Sequence, residues 1–133
     1  MASTHIPRAI DLTRVLCRVA DVERHGACAF RLGGGDWPLR GFVVRAGGEL
    51  RAYVNRCPHA GHPLDLVPGR FLSADGALIV CASHGAVFEK STGLCLAGPC
   101  AGRALTGVAL EVLQGVVMLA EGVAAEALAA AGP

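Results

Sequence analysis

Two short stretches decide how this chain is interpreted: Asn55-Arg-Cys-Pro-His-Ala-Gly-His-Pro-Leu-Asp65 and Cys81-Ala-Ser-His-Gly-Ala-Val-Phe88. In the first, one residue separates Cys57 from His59. In the second, two residues separate Cys81 from His84. Each pair lies just past the end of an apolar run, and neighbouring prolines and glycines provide loop geometry. Two hairpin tips that each present one thiolate and one imidazole predict a four-ligand metal site.

Mixed sulfur and nitrogen donors allow two kinds of site. Two Cys and two His can close tetrahedrally around a structural zinc ion. Alternatively, the two thiolates can hold one iron of a [2Fe–2S] cluster and the two imidazoles the other. A zinc site usually takes two Cys from one knuckle and two His from a helix. Here each loop offers one of each, and no helical pattern surrounds either pair, so the spacing favours the cluster.

In this setting the residues resemble the Rieske iron–sulfur family. Residues 55–65 look like its first cluster loop and residues 81–88 like its second. The stretch Gly93-Leu-Cys-Leu-Ala-Gly-Pro99 is similar to the third, proline-containing loop that covers such clusters. The resemblance implies a Rieske-like antiparallel β-sandwich of stacked sheets with a small cluster-binding subdomain of loops. We expect one Rieske-type domain over residues 1–133, with that subdomain at about 55–103.

The resemblance also implies the roles of the four ligands. Cys57 and Cys81 would bind the inner iron of one [2Fe–2S] cluster per chain. His59 and His84 would bind the outer iron, which faces solvent. Because imidazole ligands are neutral, such clusters are easier to reduce than all-cysteine ones, and their potentials lie at about −150 to +300 mV.

The sequence departs from some members of the family. Respiratory members join the two loops by a disulfide, but the matching residues here are His62 and Ser83. High-potential members place Ser and Tyr hydroxyls after the second His, where this chain has Ala86 and Phe88. Because hydrogen bonds to the cluster sulfurs raise the potential, we expect a potential near the low end of the range. The large iron domain of ring-hydroxylating oxygenases has no room in 133 residues.

Short apolar runs between glycine-rich turns independently predict an all-β chain. Along Glu49–Asn55, apolar side chains alternate, so that Leu50, Ala52 and Val54 share one face. Only the Ala-rich tail from Glu121 to Ala131 is predicted to be helical. The other predicted strands are Leu12–Val19, Gly41–Arg45, Arg70–Ser73, Leu78–Val80, and a last hairpin of Leu105–Leu113 with Val116–Leu119.

Composition limits the function classes. A formal net charge of +1 does not predict the basic surface that binds nucleic acid or an anionic membrane. The N-terminus lacks the unbroken apolar stretch of a secretion signal, and no segment has the roughly 20 apolar residues that span a bilayer. We therefore expect a cytoplasmic protein, in which the six cysteines are metal ligands or buried thiols in preference to disulfides.

These features predict a soluble, ferredoxin-like one-electron carrier and not an enzyme. It would pass electrons from a reductase to an oxygenase or another acceptor through the edges of His59 and His84. A small apolar rim would provide a weak docking surface, formed by Pro58, Ala60, Pro63 and Pro99. Two alternatives remain: a redox-sensing subunit and a structural zinc module. The sequence identifies neither the donor nor the acceptor, and it leaves the oligomeric state open.

The cysteines and histidines outside the ligand set are mostly expected to have structural or surface roles. We expect Cys17 and Cys28 to be small buried apolar residues. Cys95 and Cys100 lie at the two ends of the third loop, where buried thiols, a local disulfide or a redox role are all open. His62 is expected to be an exposed loop residue or to tune the cluster or docking, and His5 and His25 to lie on the surface.

Overall fold

The computed structural model describes residues 10–34, 38–58 and 61–130. A single 3-10 turn, Leu12–Arg14, precedes the first strand. In chain order, the strands and helices of the described residues are β1 Val15–Arg18, α1 Val19–His25, β2 Ala27–Leu32, β3 Leu39–Ala46, β4 Glu49–Val54, β5 Leu78–Val80, β6 Val87–Glu89, β7 Cys95–Ala97, β8 Gly107–Val108, β9 Leu110–Leu113, β10 Val116–Leu119 and α2 Ala125–Ala130.

The strands form three antiparallel sheets. The main sheet has the order β2-β3-β4-β8, a second sheet has the order β1-β10-β9, and the smallest has the order β5-β6-β7. The small sheet falls entirely between residues 55 and 103, the region predicted to hold the cluster. The predicted antiparallel, stacked-sheet fold class is confirmed.

Both faces of the main sheet are buried, and each face packs against a different apolar core. Phe42 and Tyr53 point into a core shared with the small sheet, whereas Val43 and Ala52 point into a core shared with β1 and β10. As predicted, Leu50, Ala52 and Val54 share one face of β4. Since side chains of a strand alternate between its faces, one strand pair connects the site-bearing half to the supporting half.

Two predicted hairpins are present with the expected turns. Gly47 and Gly48 connect β3 to β4, and Ala46 pairs with Glu49 across the turn. Gln114 and Gly115, both at positive φ, connect β9 to β10. The predicted single strand Leu105–Leu113 is instead divided into β8 and β9, which lie in different sheets. The predicted strand Arg70–Ser73 is reduced to one isolated bridge between Leu72 and Ile79.

The prediction that only the tail is helical is wrong. The segment predicted as one strand, Leu12–Val19, contains the 3-10 turn and β1, and α1 begins at its last residue. Val22 is the only buried residue of α1, so the helix has no apolar stripe of period 3.6 to reveal it. It ends where Gly26, in the left-handed conformation, donates its N–H to the carbonyl of Val22. The predicted C-terminal helix is confirmed, as the shorter α2.

Arginines attach the C-terminal segment to the rest of the domain. The Arg14 guanidinium donates to the carbonyls of Leu119, Ala120 and Val123. The Arg56 guanidinium donates to the Ala129 carbonyl in α2, at 3.2 Å. Arg56 immediately precedes Cys57, so α2 is connected to the first predicted ligand loop. No helix among the described residues is long and apolar enough to cross a membrane.

Candidate metal centre

The first ligand loop begins where β4 ends. The Cys57 N–H donates to the His62 carbonyl at 2.8 Å, and the Gly61 N–H donates back to the Cys57 carbonyl at 2.8 Å. Asn55 supports this turn, because its side-chain oxygen accepts the Leu64 N–H at 2.7 Å and its amide group donates to Asp65 at 2.7 Å. These bonds fix the loop backbone around the cysteine.

The second ligand loop, after β5, repeats the pattern of the first. The Cys81 N–H donates to the Ala86 carbonyl at 2.8 Å, and the Gly85 N–H donates to the Cys81 carbonyl at 2.9 Å. In both loops the cysteine therefore bonds to residues four and five positions later. The residue four positions later is a glycine at positive φ, 73° for Gly61 and 75° for Gly85, a conformation that other residues adopt at a cost. The two ligand loops therefore have the same hydrogen-bond pattern and the same glycine turn.

The third loop, taken together with β7 and the turn up to Arg103 as residues 93–103, packs against the other two. The Arg103 guanidinium donates to the Pro58 carbonyl of the first loop at 3.1 Å. Gly98 contacts the second loop: a Cβ built on it would lie 2.7 Å from the Ala86 Cα. Pro99 is exposed at the tip. The three loops thus converge at one end of the small sheet.

The two cysteines of the ligand loops are buried and face each other. Cys57 is 2% and Cys81 0% exposed, and the two thiols are close enough to interact. Burial raises the pKa of the Cys81 thiol, while the backbone N–H groups of Ser83 and His84 act to lower it. Those N–H groups stabilise a thiolate, the form in which cysteine binds metal.

The histidines of this region lie on the outside. His84 and His62 are both exposed, and their ring centroids are 6.3 Å apart. The His62 Nδ1 lies 3.5 Å from the Ser83 hydroxyl. His59 lies outside the described residues. The observed arrangement places sulfur inside and imidazole outside at the second loop.

This donor set fits a [2Fe–2S] cluster held by two kinds of ligand. Buried thiolates suit the protected iron and an exposed imidazole suits the iron near solvent. The backbone N–H groups directed at the Cys81 sulfur suit a sulfur that carries negative charge. Within the described part of the chain, which excludes His59, no three Cys, His, Asp or Glu side chains form a group that could hold one metal ion.

The cysteines outside the ligand loops fall into two pairs. Cys17 is buried as expected, whereas Cys28 is partly exposed, and burial raises the pKa of Cys17 to about 12. Cys95 and Cys100 are both buried, and their sulfurs are 3.1 Å apart. Burial, together with the neighbouring Cys95, raises the pKa of Cys100 to about 12. His25 is exposed as expected, and His5 lies outside the described residues.

Sequence reasoning missed three residues whose side chains support the first ligand loop or connect it to other parts of the fold. Arg103 reaches a carbonyl 45 residues away, and Arg56 reaches one 73 residues away. Arg103 belongs to no motif, and Arg56 lies in the first ligand stretch without any sign of a distant partner, so the sequence pointed to neither contact. Asn55 had a usable signal, because an Asn next to a turn commonly bonds to nearby backbone groups.

Comparison with known proteins places this site in a family. The Rieske [2Fe–2S] domain family matches residues 13–117. No curated protein matches the chain. Solved structures with the same fold include the plasma membrane Rieske protein PetC3 from Synechocystis PCC 6803, which is 24% identical with a TM-score of 0.61. That match covers 80% of this chain and 97% of the other.

Two ferredoxins have similar structures. The ferredoxin of Sphingomonas yanoikuyae B1 is 26% identical with a TM-score of 0.60, over 79% of this chain and 94% of the other. The ferredoxin of carbazole 1,9a-dioxygenase from Nocardioides aromaticivorans IC177 is 24% identical with a TM-score of 0.61, over 80% and 94%. Since the family match spans well over half of the sequence, the chain belongs to the Rieske [2Fe–2S] domain family, whose cofactor is a [2Fe–2S] cluster.

Proposed function

We propose that this protein is a low-potential, ferredoxin-like one-electron carrier and not an enzyme. The observation that carries the proposal is the contrast between the buried sulfurs of Cys57 and Cys81 and the exposed ring of His84 at the same loop cluster. When bound, the cluster supplies a centre that gains and loses one electron. The proposal treats residues 1–133 as one domain whose cluster-binding part is residues 55–103.

The proposed ligands are Cys57 and Cys81 on the inner iron and His59 and His84 on the outer iron. The matched hydrogen bonds of the two loops hold both cysteines at equivalent positions. Buried sulfurs exclude water from the inner side. The exposed His84 ring offers an edge through which an electron can reach a partner's redox centre without travelling through the core.

The proposed low potential follows from the surroundings of the second loop. Ala86 and Phe88 are fully buried and have no hydroxyl to donate to a cluster sulfur. Because such donors stabilise the more negative, reduced state, their lack at these two positions favours a potential toward the lower end of the family range.

The proposed partners are a reductase that donates the electron and an oxygenase, or another redox protein, that accepts it. Support comes from the two similar ferredoxins, one of which belongs to a dioxygenase system. Pro63 and Pro99 are exposed beside the ligand loops, and Pro58 is partly exposed. Together with Ala60, which lies outside the described residues, these prolines would form a small apolar rim, suited to the weak, transient contacts of electron carriers. We place the protein in the cytoplasm, where its thiols would stay reduced.

The test combines spectroscopy with turnover. Purified protein, reduced with dithionite, should give the paramagnetic resonance spectrum of a histidine-ligated [2Fe–2S] centre. A ferredoxin reductase with NADH should then reduce it, and an oxygenase should reoxidise it, over repeated cycles. A colourless zinc protein would contradict the proposal, and so would a cluster that neither partner reduces or reoxidises. Substituting His84→Cys should lower the potential, whereas His25→Ala, on the exposed end of α1, should leave it unchanged.

A further inference from the structure

Two buried thiols that the proposed ligand set does not use lie in contact beneath the third loop. The Cys100 S–H donates to the Cys95 sulfur across 3.1 Å. Cys95 is 3% and Cys100 2% exposed, whereas the four residues between them, 96–99, are all exposed. Both side chains therefore turn inward from one surface segment, made of β7 and the turn that follows it.

The backbone holds the two cysteines together at the base of this loop. The Cys95 N–H donates to the Arg103 carbonyl at 2.7 Å, and the Gly102 N–H donates to the Cys95 carbonyl at 3.3 Å. One residue further out, Leu94 and Ala104 form an antiparallel bridge. A disulfide bond is about 2.05 Å long, so the sulfurs need to approach by only about 1 Å.

We propose that Cys95 and Cys100 form a redox-active dithiol that a hydroperoxide oxidises to an intramolecular disulfide. The Cys95 sulfur, which accepts the hydrogen bond, attacks one peroxide oxygen, so an S–O bond forms, the O–O bond breaks and the Cys95 thiol proton passes to the departing oxygen. The products of this step are a sulfenic acid and one water (an alcohol for an alkyl hydroperoxide). The Cys100 thiol then displaces the hydroxyl group, forming the S–S bond and releasing one water. Two sulfurs lose two electrons in total, and the peroxide gains them.

The disulfide would close the third loop covalently. Gly98, between the two cysteines, packs directly on Ala86 of the second ligand loop. A closed ring would therefore restrict the loop that covers the centre. A dithiol reductant would reverse the change by thiol–disulfide exchange. This site goes beyond the electron-carrier function, because neither cysteine is a proposed ligand, although the Cys100 thiol also lies close enough to Cys57 to interact with it.

The sequence permits a direct test on the cluster-loaded protein. Trypsin cleaves after Lys90 and Arg103, which releases Ser91–Arg103 with both cysteines. The other four cysteines fall on separate tryptic fragments. The protein is treated with equimolar hydrogen peroxide while visible absorption monitors the cluster. It is then denatured in the presence of an alkylating reagent, digested and weighed by mass spectrometry.

We expect Ser91–Arg103 to lose both alkylation sites and to become lighter by two hydrogen atoms, with the cluster absorption retained. Dithiothreitol should restore both sites. Substituting Cys100→Ser should prevent the change, whereas Cys28→Ser, outside this loop, should not affect it. Full alkylation of the wild-type peptide after peroxide would overturn the proposal. So would oxidation only after the cluster absorption has disappeared, or a disulfide to a different fragment. Alkylation of the wild-type peptide after peroxide treatment tests the proposal even if a variant fails to fold.

Discussion

The Nδ1 atom of His62 and the hydroxyl oxygen of Ser83 face each other across the two ligand loops, 3.5 Å apart. These are the positions at which respiratory members of the family have the two cysteines of their inter-loop disulfide. The loops are therefore adjacent here without a covalent connection. A contact at this distance is at the outer limit of a hydrogen bond, so it contributes little to holding the loops together.

The first prediction concerns this gap between the loops. In the double variant His62→Cys/Ser83→Cys, we expect a disulfide to form under oxidising conditions. Because it would close a loop of about 20 residues, it should raise the free energy of unfolding by about 3 kcal/mol. Denaturant titrations with and without a reductant measure the difference. The single variant His62→Cys is the control, and equal stability of the double variant in both conditions would contradict the prediction.

The second prediction concerns the reduction potential. The variant Ala86→Ser introduces a hydroxyl donor at a fully buried position of the second loop. If that hydroxyl bonds to a cluster sulfur, the potential should rise by about 60 mV, the one-electron equivalent of a tenfold change in the equilibrium constant. Protein-film voltammetry measures the shift. Ala101→Ser, at an exposed position of the third loop, should not change the potential, and an unchanged potential in Ala86→Ser would be evidence against the donor argument.

The third prediction concerns the connection between the first and third loops. In Arg103→Ala, the hydrogen bond to the Pro58 carbonyl is lost. We expect faster release of the cluster, followed by visible absorption in the presence of an iron chelator. The free energy of unfolding should fall by no more than about 1 kcal/mol, since one hydrogen bond contributes little overall. Arg24→Ala, at an exposed position of α1, is the control and should release its cluster at the wild-type rate.

The fourth prediction uses two glycines of the third loop as a matched pair. Gly98 and Gly102 both have positive φ, 106° and 88°, but only Gly98 has close neighbours, the backbone and side chain of Ala86. Substitution by Ala should cost about 1–2 kcal/mol at either position because of the backbone conformation. Gly98→Ala should cost a further 1–3 kcal/mol, roughly that of overpacking. Thermal unfolding compares the two variants, and equal losses would show that the contact with Ala86 is unimportant.

Much of the fold follows from local patterns. The β3–β4 and β9–β10 hairpins were predictable because apolar runs, one of them alternating along β4, flank two-residue turns at Gly47–Gly48 and Gln114–Gly115. The helix α1 was not predictable, because it buries Val22 alone and follows β1 without a capping side chain. Its position depends on packing against the neighbouring strands, which a local pattern does not contain.

The donor chemistry proposed for the candidate centre was predictable from local residue order. Thiol and imidazole side chains at fixed short spacings, each after an apolar strand, specify soft and borderline donors on two loop tips, and this information is local. The groups that surround those donors, by contrast, depend on the three-dimensional fold. The contact of Gly98 with Ala86, the reach of Arg103 to Pro58 and the pairing of Cys95 with Cys100 depend on how three loops converge. Convergence results from the packing of whole sheets, which no short stretch of sequence records.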